Sequence, residues 1–241
     1  MILAIHGIIG SKAAASTPSI AKSGLNLYID PSIAAPSGST IYDVTSGLPV
    51  SCGTIANSGG VYSTDFGGIF KLNGNDQWLK LFGYRVSFSA GFTLQIVMRK
   101  SNAGGGFKIP STIAGNFQPP YQFKIYDSAL GNQKFFFEAD YGYNMMPLSS
   151  DTTDWCMYTF ISSNANNSTV SLYKNNEPTN YSIPDKSVQS GYYDYFVIGN
   201  FQDAGGYSFK GDIGAFAFYG RELNTTEISQ NFDVFKTRFG I

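Results

Sequence analysis

Short runs of alternating apolar and polar residues recur along this chain of 241 residues. In "LNLYID" (25–30), Leu25, Leu27 and Ile29 fall on one side of an extended strand, with Asn26, Tyr28 and Asp30 on the other. A period of two marks a half-buried strand. "FTLQIVMR" (92–99) repeats it with Phe92, Leu94, Ile96 and Met98. "WCMYTFI" (155–161) is apolar on both faces, as a central strand would be, and "TVSLYK" (169–174) and "DIGAFAFY" (212–219) complete the clearest set. Between them stand turn signals such as "SNAGGG", "FQPP", "YKNNEP" and "FQDAGG". "NANNS" joins two of the strands and predicts a hairpin over 155–174. Short strands with regular turn signals predict an all-β sandwich or barrel. No fixed-period repeat and no dividing linker interrupts the pattern, so one domain is expected over 24–241, preceded by an arm over 1–23.

The period changes only at the end. In "LNTTEISQNF" (223–232), Asn224 is a good N-cap and Glu227 completes a capping box. Leu223 is placed to staple onto Ile228. Ile228, Phe232, Phe235 and Phe239 follow as a single apolar stripe, and Gly240 is a natural terminator. A helix is predicted over 225–239, its stripe buried against the sandwich or a protein neighbour and stapling the last strand, 212–219.

Composition narrows the class. Hydrophobic residues make up 43% and charged ones 14%, which excludes a disordered chain. The 20 Phe, 16 Tyr and 27 Gly favour strands and tight turns. A net charge of −1 without a basic run argues against nucleic acid and against polybasic membrane attachment. No stretch reaches the ~18–20 apolar residues of a membrane span. Cys52 and Cys156 make no disulfide framework and read as free thiols, Cys156 within a strand. The start, "MILAIHGIIGSKAAASTPS", lacks the basic region of a signal peptide, so none is expected. Burying Met1, Leu3, Ile5, Ile8 and Ile9, together with Ile2, would roughly balance the entropy of ordering them. The arm is therefore expected to be ordered by contacts with other chains, and the sandwich from Gly24 to fold without it.

The segment "GDIGAFAFYGRELNTTEISQNFDVFKTRFGI" resembles the closing part of laminin-G-like, concanavalin-A-like jelly-roll domains. The matching positions are Gly211, Ile213, Tyr219, Arg221, Leu223, Asn224, Glu227 and Ile228. "NFDVFKTRFGI" resembles the variant found in bacteriophage virion proteins. "GLNLYIDPS", "IYDVTSG", "GGIFKLNGNDQWLKL", "STVSLYKNNEPT" and "YFVIGNF" resemble earlier family segments in the right order, although Asn176 stands where Gly is usual. The resemblance covers about 24–241 and implies two stacked antiparallel sheets. The expected fold is thus an all-β, two-sheet antiparallel jelly-roll sandwich with one C-terminal helix and an extended N-terminal arm.

Such folds host lectins, glycan hydrolases, adhesion modules and virion decorations, so activity has to come from a site. The related glucanases carry Glu-x-Asp-x-x-Glu or its shorter form. Here only Glu138 and Asp140 begin it, and Gly142 and Tyr143 follow where a second glutamate is needed. His6, the one histidine, lies in the arm, which argues against a triad and against zinc. No catalytic residue and no cofactor are assigned. Some relatives bind calcium, and Asp76 and Asp203 are the candidate ligands, although Asp in Gly-rich loops more often holds its own turn. Tyr141, Tyr143 and Asn144, with Tyr192, Tyr193 and Asp194, mix aromatic and polar groups as a carbohydrate rim does. The expectation is a non-enzymatic structural protein of a bacteriophage virion, with other virion proteins and further copies of itself as partners and a host-surface glycan as ligand. The alternative is a cellular lectin, and a glycan hydrolase is the least favoured.

Overall fold

The alternating runs form strands that sort into two antiparallel sheets. The structure, a computed structural model, describes residues 19–82, 91–100, 111–115, 122–127, 133–139, 142–147, 154–162, 169–184, 195–199 and 209–241. In chain order the strands are β1 (Leu25–Ile29), β2 (Thr40–Asp43), β3 (Val50–Ala56), β4 (Tyr62–Ser63), β5 (Ile69–Asn73), β6 (Trp78–Phe82), β7 (Phe92–Lys100) and β8 (Ser111–Gly115). Then come β9 (Gln122–Asp127), β10 (Gln133–Ala139), β11 (Gly142–Pro147), β12 (Cys156–Ser162), β13 (Thr169–Lys174), β14 (Glu177–Pro184), β15 (Tyr195–Ile198) and β16 (Lys210–Tyr219). Helix α1 (Thr225–Phe239) closes the fold. One sheet runs β14-β13-β12-β7-β16-β5-β4, with β1 also paired to β16; the other runs β11-β10-β9-β8-β15-β6-β3-β2. The two-sheet antiparallel sandwich and its C-terminal helix are as the sequence predicts, and β12 and β13 form the expected hairpin.

The first sheet is covered on both faces. Along β7, Phe92, Leu94, Ile96 and Met98 join the core between the sheets, whereas Val97 joins a second cluster under α1. β12 divides the same way, with Tyr158 and Phe160 inward and Met157 and Ile161 outward. A bulge at Gly214 shifts the alternation of β16, so Ile213, Phe216 and Phe218 face inward while Ala215, Ala217 and Tyr219 meet the helix. A Cβ on Gly214 would lie 2.3 Å from the Phe239 ring, so the helix end needs glycine there. A second bulge, between Leu25 and Leu27 of β1, corrects the sequence reading. Leu27 and Ile29 enter the inner core, but Leu25 and Tyr28 pack under the helix.

Helix α1 is built and docked by the closing motif. Asn224 Oδ1 accepts from Glu227 N (3.0 Å) and Glu227 Oε2 accepts from Asn224 N (3.1 Å), the predicted capping box. Arg221 grips Glu227 with both ends of its guanidinium (2.8 and 2.5 Å) and donates from Nε to Ser23 O (2.9 Å). Leu223 and Ile228 are buried in one cluster, and Gly240 takes the left-handed C-cap conformation. The stripe differs from expectation in one member. Ile228, Phe235 and Phe239 are buried, but Phe232 is only half-buried, and Asn231 is fully buried instead. At about 100° per residue, Asn231 and Phe232 flank opposite sides of the central line, and the amide side is the one with partners. Asn231 donates to Gln95 Oε1 (2.5 Å) and Tyr219 Oη (2.9 Å) and accepts from Ala21 N (2.7 Å). Tyr219 Oη donates to Ala21 O (3.1 Å), and Gln95 Nε2 to Thr159 Oγ1 (3.0 Å).

That network reaches into the segment before Gly24. Ile20 and Ala21, assigned to the arm by the sequence, are buried against the helix. Both pack with the sandwich, because a two-residue apolar step finds a polar dock on a distant helix that the pattern alone cannot show.

At the other end of the helix, Arg238 donates to Asp30 Oδ1 (2.8 Å), to Phe66 O (2.6 Å) and to Gly68 O. Asp30 also accepts from Tyr28 Oη (2.9 Å) and from Ser32 N (2.9 Å) and Oγ (2.6 Å). Burial, and then the Asp30 carboxylate, pushes the Tyr28 hydroxyl well above its ordinary range, so it stays a donor. The ion pair is almost out of solvent, at 16% and 4% side-chain exposure, so removing one partner would strand the other.

Three outcomes are expected from unfolding measurements. Phe235→Ala costs about 3–5 kcal/mol as a core truncation, and Phe232→Ala clearly less. A chain starting at Gly24 is less stable than one starting at Ser19 by at least about 2 kcal/mol, from lost Ile20 burial and an Asn231 Oδ1 left without its donor. The third outcome depends on pH. The Arg221 hydrogen bonds hold the Glu227 carboxyl below its usual value, so their stabilisation is complete above the unfolded value of about 4.3 and is lost as pH falls through the depressed one. Arg221→Ala therefore lowers Tm most near neutral pH, and the gap to the parent narrows below about pH 4.

Candidate ligand site

Where the helix ends, four segments far apart in sequence enclose a cleft of about 440 Å³, within the roughly 300–1,000 Å³ of small-molecule sites. The end of β7 supplies Arg99, the start of β12 supplies Asp154 and Trp155, and the β13–β14 turn supplies Lys174 and Asn175. Phe239 and Ile241 close it from the helix side.

Each side chain is positioned by a local device. The turn has only two central residues, Asn175 (φ 49°) and Asn176 (φ 70°), the paired positive values of a type I′ hairpin. Asn tolerates that region better than other side chains, which explains the departure from Gly at 176. Asn175 then accepts from Met157 N through Oδ1 (2.8 Å), tying the turn to β12. Arg99 is held by Asp212 of β16 through Nε and Nη2, both at 2.7 Å. Its guanidinium lies over the Trp155 ring at 5.1 Å and the Phe66 ring at 5.5 Å.

The aromatic rings form one cluster. Trp155 and Phe239 have centroids 4.4 Å apart, Phe66 meets Trp155 edge-on at 5.3 Å, and Phe66 stacks on Phe239 at 5.7 Å. Phe66 is an exposed ring on a left-handed backbone (φ 52°), costly for a bulky residue. Its carbonyl is held by Arg238, and two residues on Gly68 passes so close to Pro31 that a Cβ would lie 2.6 Å from the Pro31 carbonyl oxygen.

One group in the cleft is unbalanced. Trp155 is 6% exposed, yet its indole N–H has no hydrogen-bond partner among the described residues. A stranded donor costs about 1–3 kcal/mol, whereas the half-exposed Arg99–Asp212 pair returns at most about 1 kcal/mol. The indole is therefore the largest uncompensated polar term at this site. Cys156 is buried beside it and Cys52 elsewhere in the core, neither of them in a disulfide. Burial, and then Asp43, pushes the Cys52 thiol up to about 12, far from a nucleophile at neutral pH.

The lining of this cleft includes none of the candidate site residues singled out in the sequence. Tyr141, Tyr192, Tyr193, Asp194, Asp203, and Met1, Leu3, Ile5, Ile8 and Ile9, lie outside the described residues. Tyr143 and Asn144 stand on β11, and Tyr192–Asp194 precede β15 in the chain. β11 and β15 are separated by β10, β9 and β8, four strand spacings or about 19 Å along the sheet. Glu138 sits on β10 in register with Tyr143 on one side and Gln122 on the other, so neither cross-strand neighbour is a carboxylate. Asp76 takes the turn role: its carboxylate accepts from Asn73 Nδ2 (2.7 Å) and Asn57 Nδ2 (3.1 Å). Among the described residues no three His, Cys, Asp or Glu come together as a metal group. Trp155, Lys174 and Phe239 were not picked out in the sequence as site residues. They lie up to 84 positions apart, and the Asn-Asn turn was the one local signal.

No family model and no curated protein matches the chain. Solved structures resemble it in fold. Domain 4 of AbnA, a GH43 extracellular arabinanase from Geobacillus stearothermophilus, solved in complex with arabinotriose, has a TM-score of 0.61 at 19% identity, covering 87% of this chain and 97% of that one. The receptor-binding domain of botulinum neurotoxin C/D mosaic serotype has a TM-score of 0.66 at 13% identity, covering 88% and 52%. The botulinum neurotoxin serotype D ligand-binding domain, solved with N-acetylneuraminic acid, has a TM-score of 0.64 at 14% identity, covering 88% and 51%. The chain thus spans about half the length of the toxin domains. At such identities the likeness is one of β-sandwich fold.

Proposed function

We propose that this chain is a non-enzymatic carbohydrate-recognition module. The observation that carries the reading is the coincidence of fold and cleft. An arabinanase domain matched over nearly its whole length was solved with arabinotriose, and the same sandwich here holds a cleft of saccharide size where aromatic rings meet Lys, Asp and Asn. Apolar surface for C–H faces beside a few polar groups for hydroxyls is what a sugar site requires. The non-enzymatic part rests on Glu138. Its register neighbours Tyr143 and Gln122 supply no second carboxyl for glycoside cleavage.

A more specific form places the module on a bacteriophage particle, with other virion proteins and copies of itself as partners and a host-surface glycan as ligand. It is supported by the resemblance of the trailing "NFDVFKTRFGI", residues 231–241, to the variant found in bacteriophage virion proteins.

A glycan array with the purified chain is expected to give saturable binding to at least one oligosaccharide; a blank array at millimolar ligand refutes the reading. Glu138→Gln is expected to leave binding intact, and no oligosaccharide is expected to be cleaved by either form. Cleavage that disappears in Glu138→Gln, with folding intact, would make the protein a hydrolase. Antibody labelling of particles in electron micrographs tests the virion form, which labelling confined to the cell refutes.

A further inference from the structure

We infer that Asn73 is a site of self-modification, where attack by the Gly74 backbone nitrogen converts the side-chain amide to aspartate and isoaspartate without an enzyme. This stands apart from the carbohydrate-binding reading. The first ground is the dipeptide. Asparagine is chemically labile, and a following residue without a side chain leaves its backbone nitrogen freest to attack. Asn73–Gly74 is the one Asn-Gly pair in the sequence. The fold cannot exchange that glycine. It takes φ +77°, and a Cβ there would lie 2.5 Å from Lys210 Cβ on β16. The pair is therefore retained where β5 ends, with Asn73 exposed.

The second ground is the carbonyl. Asn73 Oδ1 accepts from Asn75 N (2.9 Å) and from Asp76 N (3.3 Å). These bonds fold the side chain forward along the chain, past the Gly74 peptide that lies between acceptor and donors in sequence. When the Gly74 nitrogen adds to Cγ, this oxygen becomes an oxyanion. Donors already aimed at it hold that charge more strongly than they hold the amide, so they favour the reaction.

The third ground is the leaving group. Asn73 Nδ2 donates to Asp76 Oδ1 (2.7 Å), and Asn57 Nδ2 holds the other oxygen of that carboxylate (3.1 Å). The reaction forms the bond between Gly74 N and Cγ and breaks the bond between Cγ and Nδ2. The side-chain nitrogen leaves as ammonia, its third hydrogen coming from Gly74 N through water. On the way out it is positively charged, and the adjacent carboxylate favours that state. Water then opens the cyclic imide at either carbonyl. The product sets a new carboxylate against Asp76 in a turn that Gln77 ties together, accepting from Asn73 N and donating to Asn57 O and Gly59 O. Like charges there loosen the turn.

The test is peptide mapping of the full chain aged at mildly alkaline pH. Trypsin cuts after Lys71 and Lys80, which places Asn73 in the peptide 72–80. That peptide is expected to be the first in the chain to gain the mass difference between an amide and an acid, and to split into two chromatographic forms. Asn73→Gln is expected to abolish the change, which assigns it to this side chain and not to Asn75. Asp76→Asn keeps the shape of the turn and removes its charge. It is expected to slow conversion at residue 73, read from fragment ions, about three- to fivefold, as an exposed charge contact would. The Tm of the aged chain is expected to fall to that of Asn73→Asp. Earlier conversion at another asparagine, or a peptide 72–80 of constant mass, overturns the site. An equal or faster rate in Asp76→Asn means that the turn restrains the amide instead of activating it, and overturns the inference. If Asp76→Asn does not fold, the parent chain decides by comparison with itself in urea: slower conversion once unfolded supports the inference, and equal or faster conversion overturns it.

Discussion

The sheet built on β7, β12 and β16 is apolar on both faces, and everything else follows from having to cover the second one. The inner face is closed by the other sheet, as in any sandwich. The outer face carries Val97, Met157, Ile161, Ala215, Ala217 and Tyr219, which in water would be a large apolar patch. Helix α1 buries it with Ile228, Phe235 and Phe239. A 15-residue helix is marginal alone, so sheet and helix each depend on the other. The buried amide of Asn231 and the Asp30–Arg238 pair then make the docking specific, since an apolar stripe could slide but a hydrogen-bonded network cannot without stranding its members.

This gives the closing motif a physical meaning. Tyr219, Arg221, Leu223, Asn224, Glu227 and Ile228 are a docking device before they are anything else. Asn224 and Glu227 cap the helix, Arg221 ties Glu227 to the chain entering β1, Leu223 sets the approach, and Tyr219 binds Asn231 from the sheet. Their agreement with a known jelly-roll pattern speaks for the fold. It says nothing of ligand, which is why chemistry must be sought where the device leaves a gap.

That gap lies at the far end of the helix. Phe239 has to drop onto the Gly214 bulge to complete the cover, and in doing so it meets Trp155 and leaves a cleft beside it. The same helix end supplies Arg238, which holds the strained Phe66 turn in place. The cover of the sheet and the candidate cleft therefore share residues here.

Much of the fold was legible in the sequence because it is written in local periods. Alternation gave β7 away, a run apolar on both faces did so for β12, short apolar-rich runs between turn signals for β13 and β16, and the cap, staple and terminator for α1 to the residue. What the local pattern missed was decided by long-range geometry. The bulge in β1 turned Leu25 to the helix side, Asn231 displaced Phe232 because its partners come from residues 21, 95 and 219, and Ile20 and Ala21 joined the sandwich through the same amide. The candidate site was illegible for the same reason. Trp155 reads as a core aromatic, Lys174 as a turn residue and Phe239 as the end of a stripe, and each reading is locally right. Only the tertiary structure brings them around one cleft, because cross-strand neighbours and helix docking obey spatial register, which leaves no mark on any short stretch of sequence.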